Sequence, residues 1–381
     1  MILRSLRLQN MRAHVNSVVT LAPNINLLYG PNGAGKTNII EAVHYLCLAK
    51  SFLTNVERYV IQRGQPFFEV EGKFEGSLRK EVVIRVAVVA REGKRMFING
   101  SALERLADVV GVVPLVVFAP SDQQLTYGGP EERRKFLNSV LSQARPSHLE
   151  DLIGYRRALK QRNEYLATHR NRQIDHGLIV SMNAVLARLG GRIIVQRSAF
   201  LKSFNQELQC AWKHLGEVIE EPFISYQGPI SESDQTTPEK AEDALLETLM
   251  QSMDRDIEYG RTTLGPHRDE LVFKLDQQEV RRFGSTGQHR SFAIALKMAQ
   301  FHYLDSRLEE KPLLLLDDLF DSLDPARTDV IMNWLNDSIT GQSLLTAADA
   351  ENLRSKIEEW GTPNQCIQVQ GGRVIQSHAE E

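Results

Sequence analysis

The residues best equipped for chemistry lie in Gly30-Pro31-Asn32-Gly33-Ala34-Gly35-Lys36-Thr37, spaced as G-x-x-x-x-G-K-[ST]. Glycines in this arrangement let backbone N–H groups wrap a pyrophosphate, and a helix starting where the loop ends adds its positive pole. Lys36 would reach the β- and γ-phosphates, and Thr37 would offer its hydroxyl to Mg²⁺. The apolar run Ile25 to Tyr29 before the loop reads as a strand, and Ile39, Ile40, Val43 and Leu46 after it share one helical face. A surface glycine turn ahead of an ordinary helix is the alternative. Strand, loop and helix together favour a purine triphosphate site, whose use the loop leaves open.

Leu313-Leu314-Leu315-Leu316-Asp317-Asp318 is an apolar run closed by two carboxylates, the form of a strand buried on both faces of a parallel sheet. The carboxyl ends of such strands are where these sheets bind ligands. Asp317 is placed to hold Mg²⁺, directly or through water, and Asp318 to orient or deprotonate an attacking water. The alternative is a strand capped by an acidic turn. In Asp321-Ser322-Leu323-Asp324-Pro325, Asp324 either binds across a subunit interface or caps the helix beginning at Pro325. Ser285-Thr286-Gly287-Gln288 precedes the apolar helical stretch Phe292 to Phe301. There Ser285 and the Gly287 amide suit a terminal phosphate, with Gln288 beside them, or simply start a capped helix. The order along the chain of phosphate loop, Ser-x-Gly-Gln, acidic strand and Asp324 is the order that ABC-type ATPases show.

These motifs need a scaffold, and the patterning supplies one. Ile2 to Leu8 and Val15 to Leu21 read as strands ahead of the loop, joined by the turn Asn10 to His14; Phe67 to Phe74, Glu81 to Ala90, Arg95 to Ile98 and Val112 to Phe118 follow. From Pro130, suited to a first helical position, to about Leu215, strand signals nearly vanish and Arg and Lys stud a helical spacing. Gly228 to Pro238 reads as a polar loop, and the α/β core resumes near Val280. The expected class is α/β: an ATPase lobe of residues 1–125 and 295–381, split by a mainly helical lobe, residues 126–294, carrying the Ser285 loop, with no long coiled coil.

The bulk numbers narrow the function classes. A chain of 381 residues, 42% hydrophobic and 24% charged, is that of a globular protein able to bury a large core. No uncharged apolar run approaches the ~20 residues of a membrane span, and the amino terminus alternates like a strand, unlike a signal sequence. Cys47, Cys210 and Cys366 are scattered without C-x-x-C spacing, against a zinc site or disulfide framework, so a reducing cytoplasm fits. A net charge of −3 argues against coating nucleic acid by bulk attraction, so any DNA contact must come from a local patch. No repeat of solenoid length is present.

With the phosphate loop, Gly284-Ser285-Thr286-Gly287-Gln288-His289-Arg290 and the Leu-Leu-Asp-Asp strand, the chain resembles the RecF family, bacterial DNA-repair ATPases related to the heads of structural-maintenance-of-chromosomes proteins. Phe118-Ala119-Pro120-Ser121-Asp122 with Pro130, Arg133, Arg134, Phe136 and Leu137, the run Leu159 to Asn163, and Gly260 to Asp269 agree, so the likeness spans nearly the whole chain. The resemblance implies a head that pairs with a second copy when ATP is bound, Ser285 of one chain contacting the γ-phosphate held by Lys36 of the other. It also implies ATP-dependent binding of DNA, duplex and at single-strand gaps, with RecR and RecO as partners in placing RecA. Induction in the SOS response follows from the family as well. Slow hydrolysis as a switch is expected, because Asp318 is shorter than the glutamate common at that place.

Three positions depart from the family pattern. His289 stands where a second glutamine is expected and reads as a tolerated surface change; Ser121 stands where an acid is expected; Thr346 stands where transporter ATPases carry a switch histidine, and is expected to take part of that role. Gln62, Gln123 and Gln124 are candidates for a glutamine sensing Mg²⁺ and γ-phosphate, or are simply solvated. Arg12, in the turn after the first strand, resembles an arginine that touches phosphate in related heads. Arg156, Arg157, Lys160, Arg162, Arg170 and Arg172 form either a solvated helix face or a phosphate-backbone contact, with Tyr155 and Tyr165 interleaved. His267-Arg268-Asp269 reads as a turn or a link between lobes in preference to a catalytic group. A transporter ATPase subunit uses the same three motifs, but the basic helical lobe and the missing switch histidine oppose it. A small-molecule phosphotransferase needs no Ser-x-Gly-Gln motif.

Overall fold

The computed structural model describes residues 1–78, 80–169, 174–216, 220–337, 340–348, 350–360 and 363–375. The chain divides into two compact units, Met1–Asp122 with His214–Glu217 and Leu296–Glu381, and Gln123–Lys213 with Val218–Ala295.

Alternation of apolar and polar residues makes the first stretch into sheet: β1 (Ile2–Met11), β2 (His14–Thr20), β3 (Ile25–Tyr29), then α1 (Lys36–Leu48), β4 (Phe67–Glu75), β5 (Val82–Val89), β6 (Gly93–Ile98), β7 (Ser101–Ala102) and β8 (Leu115–Phe118). Each strand anticipated in this region forms, the last shortened to its apolar end. Six of the strands make an antiparallel sheet in the order β2-β1-β4-β5-β6-β7. In β5 every second side chain is buried, as a sheet with one core face requires. Helix α1 touches strands of this sheet and of a second one, and 11 of its 13 residues are buried. A single apolar face is therefore too modest a description: Ile39, Ile40, Val43 and Leu46 are joined in the core by Ala42, Tyr45 and Cys47.

The second unit follows with α2 (Gln123–Tyr127), α3 (Pro130–Ala144), α4 (Pro146–Thr168), α5 (His176–His214), β9 (Pro222–Gln227), α6 (Pro238–Gln251), α7 (Met253–Tyr259), β10 (Glu270–Leu275), β11 (Gln278–Glu279), α8 (Val280–Phe283) and α9 (Thr286–Asp305), whose carboxyl half belongs to the first unit. Pro130 opens α3 at its first position, as read. The α/β core does not resume at Val280, which starts a short helix of the second unit; a three-stranded antiparallel sheet, β11-β10-β9, precedes it. Its strands are short and flanked by charge, so their alternation was hidden in a helical context. Among the described residues α5 alone is long and apolar enough to cross a membrane. Its Leu186, Ala187, Ile193 and Ile194 pack instead with Ala241, Leu245 and Leu249 of α6.

The chain closes the first unit with β12 (Leu313–Leu316), α10 (Pro325–Asn336), β13 (Ser343–Ala347), α11 (Glu351–Glu359), β14 (Gln365–Gln370) and β15 (Arg373–Ile375). The second sheet of this unit runs β15-β14-β3-β13-β12-β8, with β14, β3, β13, β12 and β8 parallel to one another. Strands β12 and β13 are buried throughout, the signature of central strands in a parallel sheet. Their carboxyl ends, with that of β3, define one edge.

Candidate nucleotide-binding site

At that edge β3 ends at Tyr29 and the chain turns through the phosphate loop. Gly30 has φ +151° and lies so close to the β14 backbone that an added Cβ would stand 2.1 Å from the Val369 carbonyl oxygen. Gly35 has φ +108°, and a Cβ there would meet His14 Nε2 at 2.8 Å. Only glycine fits either place. The Lys36 ammonium, almost wholly buried, donates to the carbonyl oxygens of Gly30 at 2.9 Å and Pro31 at 3.2 Å. It is thus folded over the loop, its positive charge held where a phosphate would exchange with the carbonyls.

One strand intervenes between β3 and β12, and its side chain completes the edge. Thr37 donates its hydroxyl to Asp317 Oδ1 at 2.8 Å. Thr346, on β13, lies 3.0 Å from the same oxygen and 3.1 Å from Asp318 Oδ1, and accepts the Asp318 N–H at 2.8 Å. Burial pushes the Asp317 carboxyl up to about 6, and the neighbouring Asp318 charge adds to this against the hydroxyls of Thr37 and Thr346 and the charge of Lys36. Asp318 sits at φ +45°, a left-handed conformation uncommon for a residue with a side chain. The hydroxyl of Thr37 and the carboxylate of Asp317 are the hard oxygen donors that suit Mg²⁺, which keeps most of its remaining ligands as water and phosphate oxygens. No cluster of three or more His, Cys, Asp or Glu side chains placed to hold a metal occurs among the described residues.

His14 was not singled out from the sequence, where it is one residue of a turn. Its Nε2 lies 3.1 Å from the Gly35 carbonyl oxygen and its Nδ1 2.9 Å from Ser17 Oγ. Burial lowers the imidazole's proton affinity, so Nε2–H donates to Gly35 and Nδ1 faces the serine hydroxyl. Ser17 Oγ is also 3.2 Å from the Gly372 carbonyl oxygen, and Gly372 N–H donates to Ala34 at 2.9 Å. The phosphate loop is therefore braced from behind by the β1–β2 and β14–β15 turns.

Arg12 is engaged with protein groups here. Its Nε and Nη2 each stand 2.8 Å from the Glu41 carboxylate, and Nη1 donates to Tyr59 O at 2.8 Å. A phosphate contact would require it to exchange one of these. Asp324 caps α10, accepting Arg327 N–H at 2.9 Å and pairing with that residue's guanidinium at 2.8 Å. Asp122, next to Ser121, pairs with Lys297 at 2.8 Å.

In the second unit Ser285 and Gln288 form a reciprocal cap at the head of α9: Ser285 Oγ accepts Gln288 N–H at 3.2 Å, and Gln288 Oε1 accepts Ser285 N–H at 2.7 Å. Gln288 Nε2 donates to Glu220 at 2.9 Å. Ser285 remains exposed, next to Phe283, 66% exposed. His289 is no surface change: it is 2% exposed and stacked on Tyr127, with ring centroids 3.7 Å apart.

Comparison with known proteins identifies the family and fold. The model of the RecF/RecN/SMC N terminal domain matches residues 2–365. The DNA replication and repair protein RecF of Salinibacter ruber is 46% identical over 375 residues, covering 98% of this chain and 91% of that protein. The chain belongs to the RecF family. The RecF of Chloroherpeton thalassium is 36% identical over 349 residues, 91% of this chain and 95% of its own. A solved structure described as the recombination mediator protein RecF-ATP in the RecFOR pathway superposes with TM-score 0.90 at 25% identity, covering 99% of this chain and 97% of that one. An Smc head bound to the C-winged helix domain of ScpA, at 13% identity and TM-score 0.57, shares the fold. The chain is thus a RecF-type head of the ABC ATPase class, with a mainly helical second unit.

The basic run of this RecF-family chain divides by exposure. Arg156, Arg157 and Lys160 lie on the exposed face of α4. Arg162 does not belong with them. It is fully buried, paired with Asp256 at 2.8 Å and bonded to Asn183 and Thr262 at 2.8 and 2.7 Å. Arg170 and Arg172 lie outside the described residues. Asp269 is buried as well, in a pair with Arg197 at 2.6 Å that Tyr226 also reaches, while His267 Nδ1 meets Tyr155 Oη at 2.8 Å. The Gly260 to Asp269 motif therefore ties together elements of the second unit. Gln62 bonds through its backbone to Asn10; Gln123 and Gln124 open α2 in the second unit.

Proposed function

We propose that this chain is an ATP-switched DNA-binding protein of recombinational repair. The bond from Thr37 to Asp317 at the edge of the parallel sheet supports this reading most, because it joins the phosphate loop to the acidic strand. ATP lies on the loop residues Gly30 to Thr37, with Lys36 against the β- and γ-phosphates. Mg²⁺, held by Thr37 and Asp317, would neutralise the developing charge on those phosphates. Asp318, steered by Thr346, orients the attacking water and accepts its proton.

Ser285 and the Gly287 amide, with Gln288 fixing the loop, complete the γ-phosphate site of a second copy, so that ATP holds a homodimer; Asp324 faces that interface. Phe283, exposed beside Ser285, supplies apolar area to the same contact. The closed pair grips duplex DNA and single-strand gaps in the cytoplasm and acts with RecR, RecO and RecA; that a solved relative is a recombination mediator of the RecFOR pathway supports the RecR and RecO part of this reading. Slow hydrolysis resets it.

The test is DNA affinity on duplex, single-stranded and gapped substrates at fixed salt, with and without ATP, using Asp318→Asn to hold the bound state. Tighter binding only with ATP, lost on Lys36→Ala and Ser285→Arg, supports the switch. Binding indifferent to nucleotide, or a protein that stays monomeric with ATP and Mg²⁺, overturns it.

A further inference from the structure

The second unit holds a pocket of about 360 Å³ that the nucleotide site does not use. Five cationic side chains line it, Arg134, Lys135, Arg156, Arg197 and Arg268, with one carboxylate, Glu131. The charges are not balanced locally. Glu131 is held by Lys135 at 3.0 Å, and Asp269, behind the wall, is held by Arg197. Glu270, next along the chain, pairs with Arg133 at 2.9 Å. Arg134 gives one N–H to the Asp269 carbonyl oxygen at 2.6 Å and, among the described residues, forms no direct ion pair with a carboxylate. Burial and the charge of Arg197 disfavour its protonated form, and the more distant charges of Asp269, Glu270 and Glu131 offset this only in part. His267, in the same wall, is pushed down to about 4 by burial, with Arg268 and Arg134 contributing. Three guanidiniums, those of Arg134, Arg156 and Arg268, thus face one small space, and among the described residues none of them forms an ion pair with a carboxylate.

We propose that this pocket receives a single phosphate of the nucleic-acid backbone and anchors the strand that runs along α4. The proposal rests on the DNA-binding reading above. Three planar guanidiniums suit the several oxygens of one phosphate. Lys160 lies one helical turn beyond Arg156 on the same exposed face, in a loose pair with Glu164 at 3.7 Å that a following phosphate could replace. The motif Gly265-Pro266-His267-Arg268 acquires a task, since its turn, closed by Arg268 N–H on Gly265 O at 2.8 Å, holds Arg268 at the rim.

The experiment uses the full chain with ATP and Mg²⁺ and a fluorescent gapped duplex, with Kd measured from 50 to 200 mM KCl. Arg156→Ala combined with Arg268→Ala should raise Kd about 10-fold or more and lower the slope of log K against log salt by about 0.9, one phosphate's share. Either single substitution should account for most of that loss, because both grip one phosphate. Lys202→Ala, an exposed lysine outside the pocket, should leave affinity and slope at parent values. A double variant that binds DNA with parent affinity and slope overturns the proposal. So does calorimetry in which inorganic phosphate or a Glu-rich peptide binds the parent, fails on the double variant, and DNA binding is unaltered. A parent that never binds DNA in response to ATP would instead sink the reading on which the pocket rests, a distinct result.

Discussion

Replacing Arg162 by alanine removes the cation from a carboxylate that has no contact with water. Asp256 is 0% exposed, and besides the ion pair it accepts the Thr263 N–H at 2.8 Å and hydroxyl at 2.6 Å. Those two bonds do not replace a full positive charge. Breaking one partner of a buried pair costs about 3–5 kcal/mol, and Arg162 also leaves Asn183 and Thr262 without their donor. In a unit of this size about 2–4 °C of Tm is lost per kcal/mol, so the melting of the second unit should fall by about 6–20 °C. Scanning calorimetry reads this directly. DNA affinity measured well below the new transition should be nearly unchanged, in contrast to Arg157→Ala. Substituting both partners with apolar side chains of similar volume should recover much of the loss, since the desolvation cost disappears with the charges. The reasoning is refuted if Arg162→Ala keeps its Tm within about 1 °C while its DNA affinity and salt slope both drop, for then the guanidinium serves phosphate and not Asp256.

Further outcomes follow from the nucleotide site. Thr346→Val removes the hydroxyl that accepts the Asp318 N–H and binds both carboxylates; loss of one charge-assisted bond, about 1.5–3 kcal/mol, should cut ATP turnover at least 10-fold while ATP binding, followed with a fluorescent analogue, stays near normal. His14→Ala should weaken ATP binding about 5- to 30-fold, from one or two lost bonds behind Gly35, and His14→Gln should restore part of it; unchanged affinity would show the brace to be idle. Asp317, whose proton affinity is raised, opposes folding when ionised: its cost is absent below its unfolded value near 4, grows as pH rises, and is complete above about 6. Asp317→Asn should therefore raise the Tm of the nucleotide-free protein at pH 8 and not at pH 4. By the same titration, Mg²⁺ affinity should weaken with falling pH below about 6, with proton release on binding visible by calorimetry in buffers of different ionisation heat.

What the sequence determined by itself was everything encoded over a few neighbouring residues. Glycines at 30, 33 and 35 announce a loop with positive φ, the alternation in Val82–Val89 a one-faced sheet, and Asp324 before Pro325 a helix start, since each depends on backbone geometry and local hydrogen bonds. Thr37 and Asp317 were each read as Mg²⁺ donors from their motifs, and the fold brings the two side chains, 280 residues apart, to 2.8 Å. Tertiary structure alone decided which polar residues lose contact with water. Arg162 and Arg157 look alike in a basic run, yet one is buried against Asp256 and the other exposed, because α4 turns one face to the interior and the partner acid comes from α7. His289 and His14 likewise became a stacking core residue and a loop brace only through neighbours distant in the chain, Tyr127 and Gly35. Burial is a property of all the packed elements at once, and no short window of sequence contains it.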